Sequence, residues 1–347
     1  MLTDINCFFD QIKQSQTNKL KLSPHIFYHS DTDGLCSAAL MFAYLTKELS
    51  IQDVKLQCLS IDEIQSVVVF SPSIFVDLPV LPQKIENPQK QPILIIDHHM
   101  ISDKIIRDNN VFYINPREND PEVYKPASFV VFSLFEQYEA IKKRAFIAAV
   151  GIIGDMGDKN DEDCKNFVEK FDKDSVLKLS EVITGVVEIN KKNFNFNAIS
   201  SGLIKFLLEQ NSAEDFLTKP SEYLEQADEF QKNLKKAICL SKIEKLNDVV
   251  LFVQIDSKFC SSSIISNLMA DKYSDNTIFV VSKSQFKNQR IKISCRSKLL
   301  DCNHLMRQIA SQIPDSNGGG HERAAGLIIP VKYFQKFINF VKNMPPT

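Results

Sequence analysis

Runs of apolar residues punctuate the first 120 positions: HIFYH (25–29), SIFVD (73–77), PILIID (92–97) and VFYIN (111–115). Each has strand length and is β-branched or aromatic in character. None alternates as a half-exposed strand would, so the pattern predicts strands buried on both faces. Between the first two, LCSAALMFAYLTKEL (35–49) spaces its apolar positions helically, and residues 125–155 read as one or two further helices. Strands alternating with helices predict a parallel, helix-covered sheet.

From 161 to 240 the pattern is helical and strongly charged, ending in a stretch with the character of a long connecting helix. β-runs return at 249–255, 276–282, 289–295 and 326–331, with helical stretches at 261–272, 301–313 and 332–343 among them. The expected fold class is therefore α/β. An N-terminal parallel-sheet domain (1–215) joins through a helix (216–240) to a smaller α/β domain (241–347), with the active site expected in the cleft between them. No internal repeat or heptad pattern is present.

The nearly neutral total, 41 basic against 43 acidic residues, conceals an asymmetry. Residues 240–347 hold 15 Lys and Arg against 8 Asp and Glu, while the rest of the chain is correspondingly acidic. No stretch reaches the roughly 18 apolar residues of a membrane span. A soluble, cytoplasmic protein is expected, and the eight cysteines, without a C-x-x-C pair, are expected to be reduced and mostly buried. Glycine is scarce: 10 residues in 347, against about 7% in average proteins. Gly34, Gly151, Gly154, Gly157, Gly318, Gly319, Gly320 and Gly326 fall in three short segments, which predicts sharp turns or close approach to a ligand there.

Candidate chemistry gathers at strand ends. His29-Ser30-Asp31-Thr32-Asp33-Gly34 follows the first strand; read alone, it is equally a capped helix start. Asp77 ends the second run, Asp97-His98-His99 the third, and Asp155 follows a helical stretch between glycines. Parallel topology brings strand termini to one edge, where ligands bind in open α/β sheets. Five converging carboxylates would repel one another without cations. Mixed carboxylate and imidazole donors suit two divalent ions. Mn²⁺ fits best, Co²⁺, Fe²⁺ and Zn²⁺ are alternatives, and Mg²⁺ is admitted but favours oxygen and water. Such a pair can clamp the attacking and leaving oxygens of displacement at phosphorus.

These motifs resemble, in order and over nearly the whole chain, the DHH phosphoesterases, named for the triplet seen here as Asp97-His98-His99. ISCRS (293–297) and GGGHERAAG (318–326) resemble the DHH-associated C-terminal domain. The resemblance implies that Asp77 bridges two ions, Asp31 sits mainly on one, and Asp33, His98 and Asp155 sit on the other. It makes Asp97 and His99 catalytic, orienting the phosphate and the metal ligands while a bridging hydroxide attacks. His29 stands two residues before Asp31, a spacing similar to the archaeal RecJ-like branch, and is a ligand or lies close behind one. Ser294, Arg296, Gly318, Gly319, Gly320, His321 and Arg323 become substrate-binding residues. The consecutive glycines also have a reading of their own, as backbone N–H groups exposed to an anion, against that of a plain loop.

The expected function is a Mn²⁺-dependent phosphodiesterase or exonuclease on single-stranded RNA, DNA or short oligonucleotides, of the RecJ-like or nano-RNase type. Because nothing follows residue 347 where bacterial RecJ-type enzymes carry a further barrel, short substrates are expected. The basic run Lys283, Lys287, Arg290, Lys292, Arg296 and Lys298, with Phe286, is a candidate nucleic-acid path. A 3'-phosphoadenosine 5'-phosphate phosphatase or cyclic-dinucleotide phosphodiesterase is the related alternative, and a pyrophosphatase or exopolyphosphatase ranks below it. A non-catalytic replication-associated binding protein is the alternative of another class. Homodimerisation and replication or repair partners are compatible with the sequence.

Overall fold

Five parallel strands build the first sheet: β1 (His25–His29), β2 (Lys55–Leu59), β3 (Ser73–Val76), β4 (Ile93–Ile96) and β5 (Val111–Ile114), in the order β2-β1-β3-β4-β5. The computed structural model describes residues 2–17, 23–60, 63–101, 104–106, 110–255, 261–282 and 289–344. Pairing runs His25 to Lys55 and Ser73, Ser73 to Ile93, and Ile93 to Val111, so the C-terminal ends align at one edge. The ladder continues past the strands, with Asp77 N–H donating to Ile96 O and Asp97 N–H to Ile114 O, both at 2.9 Å. The acidic residues thus occupy the last paired rung.

Strands β3 and β4 are buried at every position, as their uniformly apolar sequences require. One core packs helices with Ile26, Tyr28, Ile74, Val76, Leu94 and Ile96; the other packs Phe27, Phe75, Ile93 and Ile95 against residues 64–85. The amphipathic helix Leu2–Thr17, not foreseen from the sequence, buries Ile5, Phe8, Phe9 and Ile12 in the first of these. Strand β2 was also missed. Its KLQCL sequence mixes polar and apolar residues, as an edge position allows.

The chain divides into two compact units, 1–227 and 228–347, within the helix Glu222–Cys239. Tyr223 and Ala227 of that helix belong to the first core, and Phe230, Leu234 and Ala237 to a core of the second unit. The second unit has a six-stranded sheet, β6 (Lys242–Asn247), β7 (Val250–Ile255), β8 (Thr277–Ser282), β9 (Arg290–Arg296), β10 (Asn317–His321) and β11 (Ala324–Pro330), ordered β10-β11-β9-β8-β7-β6. Only β7 and β8 pair in parallel; the other neighbours are antiparallel.

Strand β10 sets aside the plain-loop alternative at the glycine run. Gly318, Gly319 and Gly320 pair with Leu327, Gly326 and Ala325. A Cβ at Gly318 would lie 2.5 Å from Met306 O, and one at Gly320, whose φ is +151°, 2.5 Å from Ala324 O. Glycine weakens strand propensity, which hid the strand; here it admits the helix Cys302–Gln312 against the edge.

Among the described cysteines, Cys36, Cys58, Cys164, Cys295 and Cys302 are buried free thiols, and Cys7 and Cys239 are exposed. No helix of the described residues is long and apolar enough to cross a membrane.

The first unit's glycines serve packing as much as turning. Gly151 and Gly154, on the helix Ala145–Gly154, and Gly157 beyond it let the segment lie against two helix starts. Added Cβ atoms would fall 2.7 Å from Ser128 Cβ, 2.6 Å from Thr32 Cβ and 2.5 Å from Pro126 Cγ respectively. At Gly151 the Cβ would also sit 2.9 Å from Asp33 Oδ1. Overpacking of this kind costs up to about 3 kcal/mol, which outweighs the roughly 1 kcal/mol gained by removing a helical glycine. Gly151→Ala is therefore expected to lower the unfolding temperature in calorimetry by several degrees. An unchanged or higher midpoint would show that Ser128 yields without cost.

Candidate metal centre

Each acidic residue at the sheet edge is held differently. Asp31 is the N-cap of the helix Thr32–Ala43: its Oδ1 accepts from Gly34 N–H at 2.9 Å, and its Oδ2 lies 2.7 Å from His29 Nδ1. The cap reading and the site reading of this segment thus both hold of its geometry. Gly34 is needed because a Cβ there would meet His29 O at 2.5 Å. Asp33 is buried in the first turn of the helix and accepts from the backbone N–H groups of Ala127 (2.6 Å) and Ser128 (3.0 Å), the uncapped start of Ala127–Phe135.

Asp77 leaves β3 with φ +57°, a left-handed conformation uncommon outside glycine and tolerated by Asp. Its side chain is buried, and neither carboxylate oxygen has a hydrogen-bond partner. His98 Nε2 approaches Asp77 Oδ1 at 3.1 Å without hydrogen-bond alignment, and His29 Nδ1 lies 3.6 Å from Oδ2. His98 Nε2 is also 3.5 Å from Asp155 Oδ2, while His98 Nδ1 is buried without a partner. Asp97, buried, holds His99 through Nδ1 at 2.7 Å.

Burial alone would favour neutral forms throughout. For the His98 imidazole, burial is outweighed by the carboxylates of Asp155, Asp77 and Asp33, which push its pKa up to about 10. His29 is likewise raised against burial by Asp31 and Asp77. Asp33 is raised by burial and then by Asp77 and Asp155. Asp155 is pushed up to about 6 by burial and, against the help of His98, by Asp77 and Asp31. Asp97 is held low: burial raises it, but His99 and His98 more than compensate. Protonated imidazoles thus only partly neutralise a crowd of acids, and two of those acids remain pushed toward their protonated forms.

Donor atoms of three groups each fall within 4.8 Å of one another: His29, Asp31 and Asp77; Asp33, His98 and Asp155; and Asp77, His98 and His99. The first two could each receive a cation, with Asp77 beside both. Unpartnered Asp77 oxygens and acids pushed toward protonation are what a site shaped for positive charge leaves when only protons are available. The residues fit divalent metals.

The family model described as "DHH family, N-terminal domain" matches residues 25–153, and that described as "DHHA1 domain" matches residues 247–344. The chain carries a DHH-family N-terminal domain and a DHHA1 domain. Its DHH triplet is Asp97-His98-His99, and the DHHA1 domain is the second unit's sheet with its helices.

Among solved structures, a DHH-domain protein described as a member of a family of ribosomal proteins is 16% identical, with TM-score 0.67, over 99% of this chain and 93% of its own. RecJ from Thermus thermophilus, in complex with Mn²⁺, is 14% identical with TM-score 0.67, over 99% of this chain and 55% of its own. The chain thus spans about half of that RecJ. CDC45 from Entamoeba histolytica is 7% identical with TM-score 0.59, over 98% of each chain. These likenesses establish the fold. No curated protein matches the sequence significantly.

In the DHHA1 domain, Ser294 is buried, with its hydroxyl 2.8 Å from Ser262 Oγ. Its hydroxyl therefore fastens β9 to the helix Ser262–Lys272. Arg296 is half-buried and donates to Asn267 Oδ1, to Ser263 Oγ at 2.9 Å and to Cys295 O at 2.8 Å. Gly320 N–H donates to Asn303 Oδ1 at 3.1 Å, so this member of the anticipated cradle already has an acceptor. Gly319, by contrast, has only Asn303 and Arg307 side-chain atoms near its added Cβ, at 3.5 and 3.7 Å. Arg323 is exposed, and His321 is the last residue of β10. Of the basic run, Arg290, Lys292 and Lys298 are exposed, and Lys283, Phe286 and Lys287 lie outside the described residues.

Sequence reasoning missed Asn115, Arg117 and Tyr124. Asn115 Nδ2 donates to His99 O at 3.0 Å, Arg117 Nε to His98 O at 2.8 Å, and Tyr124 Oη to Asp155 Oδ2 at 2.9 Å. The position of Asn115, directly after β5 at the same edge as Asp77 and Asp97, was the available signal.

Proposed function

We propose that this chain is a divalent-metal-dependent phosphodiesterase acting on single-stranded nucleic acid or short oligonucleotides. The observation that carries this reading is two donor triads, one containing Asp77 and the other approaching it through His98 Nε2 at 3.1 Å, with both buried Asp77 oxygens lacking hydrogen bonds. In this reading Asp77 serves both cation positions, His29 and Asp31 complete one, and Asp33, His98 and Asp155 complete the other. Mn²⁺ is the preferred ion of this mixed donor set. A bound cation pair supplies an activated water and neutralises charge building on the phosphoryl oxygens.

The chain's own residues do the rest. Asp97, kept ionised, fixes the His99 ring and favours its protonated form, so that the partly exposed imidazole can donate to a phosphate oxygen. The basic surplus of residues 240–347, with Arg290, Lys292 and Lys298 at the surface, suits a polyanion, and Arg296 and Arg323 suit its phosphates. Homodimerisation and replication or repair partners remain part of the proposal, because an intact metal set is compatible with both.

End-labelled RNA and DNA of 2 to about 24 nucleotides, bracketing a single-strand footprint, should be shortened in Mn²⁺ and left intact in EDTA. Retention of the strands without cleavage in Mn²⁺, Co²⁺ and Mg²⁺ would replace the enzyme with a binding protein. Cleavage confined to 3'-phosphoadenosine 5'-phosphate or a cyclic dinucleotide would replace the substrate class.

A further inference from the structure

Residues 115–126, between β5 and the helix Ala127–Phe135, hold none of the motif residues, yet this segment and the helix start after it reach three of the candidate ligands. Tyr124 Oη donates to Asp155 Oδ2 at 2.9 Å and lies 3.1 Å from its carbonyl oxygen. The Arg117 guanidinium is 5.5 Å from the Tyr124 ring centroid, and the same ring stands edge-on to His98 at 5.8 Å. Arg117 is buried and forked: Nε donates to His98 O at 2.8 Å and a terminal nitrogen to Pro121 O at 2.6 Å. Ala127 and Ser128 N–H groups then hold both oxygens of Asp33. These contacts converge on one triad, Asp33, His98 and Asp155.

The elements that carry those ligands do not fix them on their own. Asp155 is a helix C-cap, followed by Met156 at φ +56°, and a carboxylate there can rotate unless one of its oxygens is tied, as Oδ2 is by Tyr124. His98 stands just beyond a strand, where the ladder has ended. We infer that residues 115–126 are a positioning strap for one of the two cation positions, with Arg117 setting the backbone of His98 and Tyr124 setting the carboxylate of Asp155. The inference rests on the metal-centre reading above. Groups that orient metal ligands from behind typically change affinity by about 10–100-fold when removed.

The test is titration of the full chain, stripped with EDTA, with MnCl₂. Calorimetry gives the number and affinity of sites, and electron paramagnetic resonance reports whether two Mn²⁺ ions are spin-coupled. The unsubstituted chain should take up two ions. Tyr124→Phe, which deletes one oxygen, should weaken one site by about 10–100-fold and leave the other unchanged, so that coupled spectra appear only at higher Mn²⁺. Arg117→Lys keeps the charge, loses the fork, and should weaken the same site. It decides the matter should Tyr124→Phe prove unstable in thermal unfolding. Two unchanged sites in both variants, or equal weakening of both sites, would overturn the strap while leaving the metal centre standing. No Mn²⁺ uptake by the unsubstituted chain would overturn the metal-centre reading, and the strap with it.

Discussion

Asp77→Asn is expected to leave the metal-free protein as stable as before, or more so, and to lower the proposed phosphodiester hydrolysis by well over a hundredfold. Asn has nearly the volume of Asp and also tolerates the left-handed backbone that Asp77 adopts. In the metal-free chain the substitution replaces a buried carboxyl group whose two oxygens have no hydrogen-bond donor. It also relieves repulsion that Asp77 exerts on Asp33 and Asp155. Against this stands the loss of attraction to His98 and His29.

The same change removes a carboxylate that belongs to one donor triad and lies 3.1 Å from His98 of the other. Loss of a residue behind a ligand costs about 10–100-fold; loss of the shared ligand should exceed that. Turnover of a labelled oligonucleotide and thermal unfolding of metal-free protein check the two halves together. Asp97→Asn, assayed beside it for hydrolysis and for strand binding, separates catalysis from a purely binding role. Unimpaired hydrolysis by Asp77→Asn would remove the central residue of the proposed mechanism.

Metal loading itself should give the second large effect. With each ion at a hundredfold excess over its dissociation constant, binding to the folded form alone adds about 2.7 kcal/mol per site. At roughly 2–4 °C per kcal/mol for a domain of this size, two Mn²⁺ ions should raise the unfolding transition of the first unit by about 10–20 °C. EDTA should reverse the gain. Scanning calorimetry with Mn²⁺, Mg²⁺ and EDTA measures it, with Asp77→Asn as the control expected to show a much smaller rise. A midpoint indifferent to Mn²⁺, or an equal rise in the variant, would count against the site.

The sequence made the centre legible because its ligands combine charge with uniformly apolar neighbours. Asp77 and Asp97 interrupt runs that otherwise contain only buried residues, and a parallel ladder leaves such residues nowhere to go but the common edge. Two of the three residues that escaped notice act on backbone. Arg117 and Asn115 work on the carbonyl groups of His98 and His99, acceptors that every residue possesses, so apart from the place of Asn115 after β5 no pattern of residue types announces them. Strand β10 was hidden for a related reason: three glycines carry no apolar pattern, and the missing side chains of Gly318 and Gly320 are explained by Met306 O and Ala324 O, which are distant in sequence or across a turn. The scarcity of glycine points to turns or ligand contact at Gly151, Gly154 and Gly157; their neighbours are Ser128, Thr32 and Pro126, with Asp33 Oδ1 also beside Gly151.

Those three positions also say how the centre responds to change. Asp33 is gripped by main-chain amides whose placement depends on two helices meeting with nothing between them, and a backbone has no alternative rotamers into which it can relax. Trimming aliphatic groups deeper in the core should soften the molecule before it disturbs this acid, while a single methyl at the crossing shifts the acid directly. Tolerance to substitution around Asp33 is thus set by the direction of the volume change more than by its size.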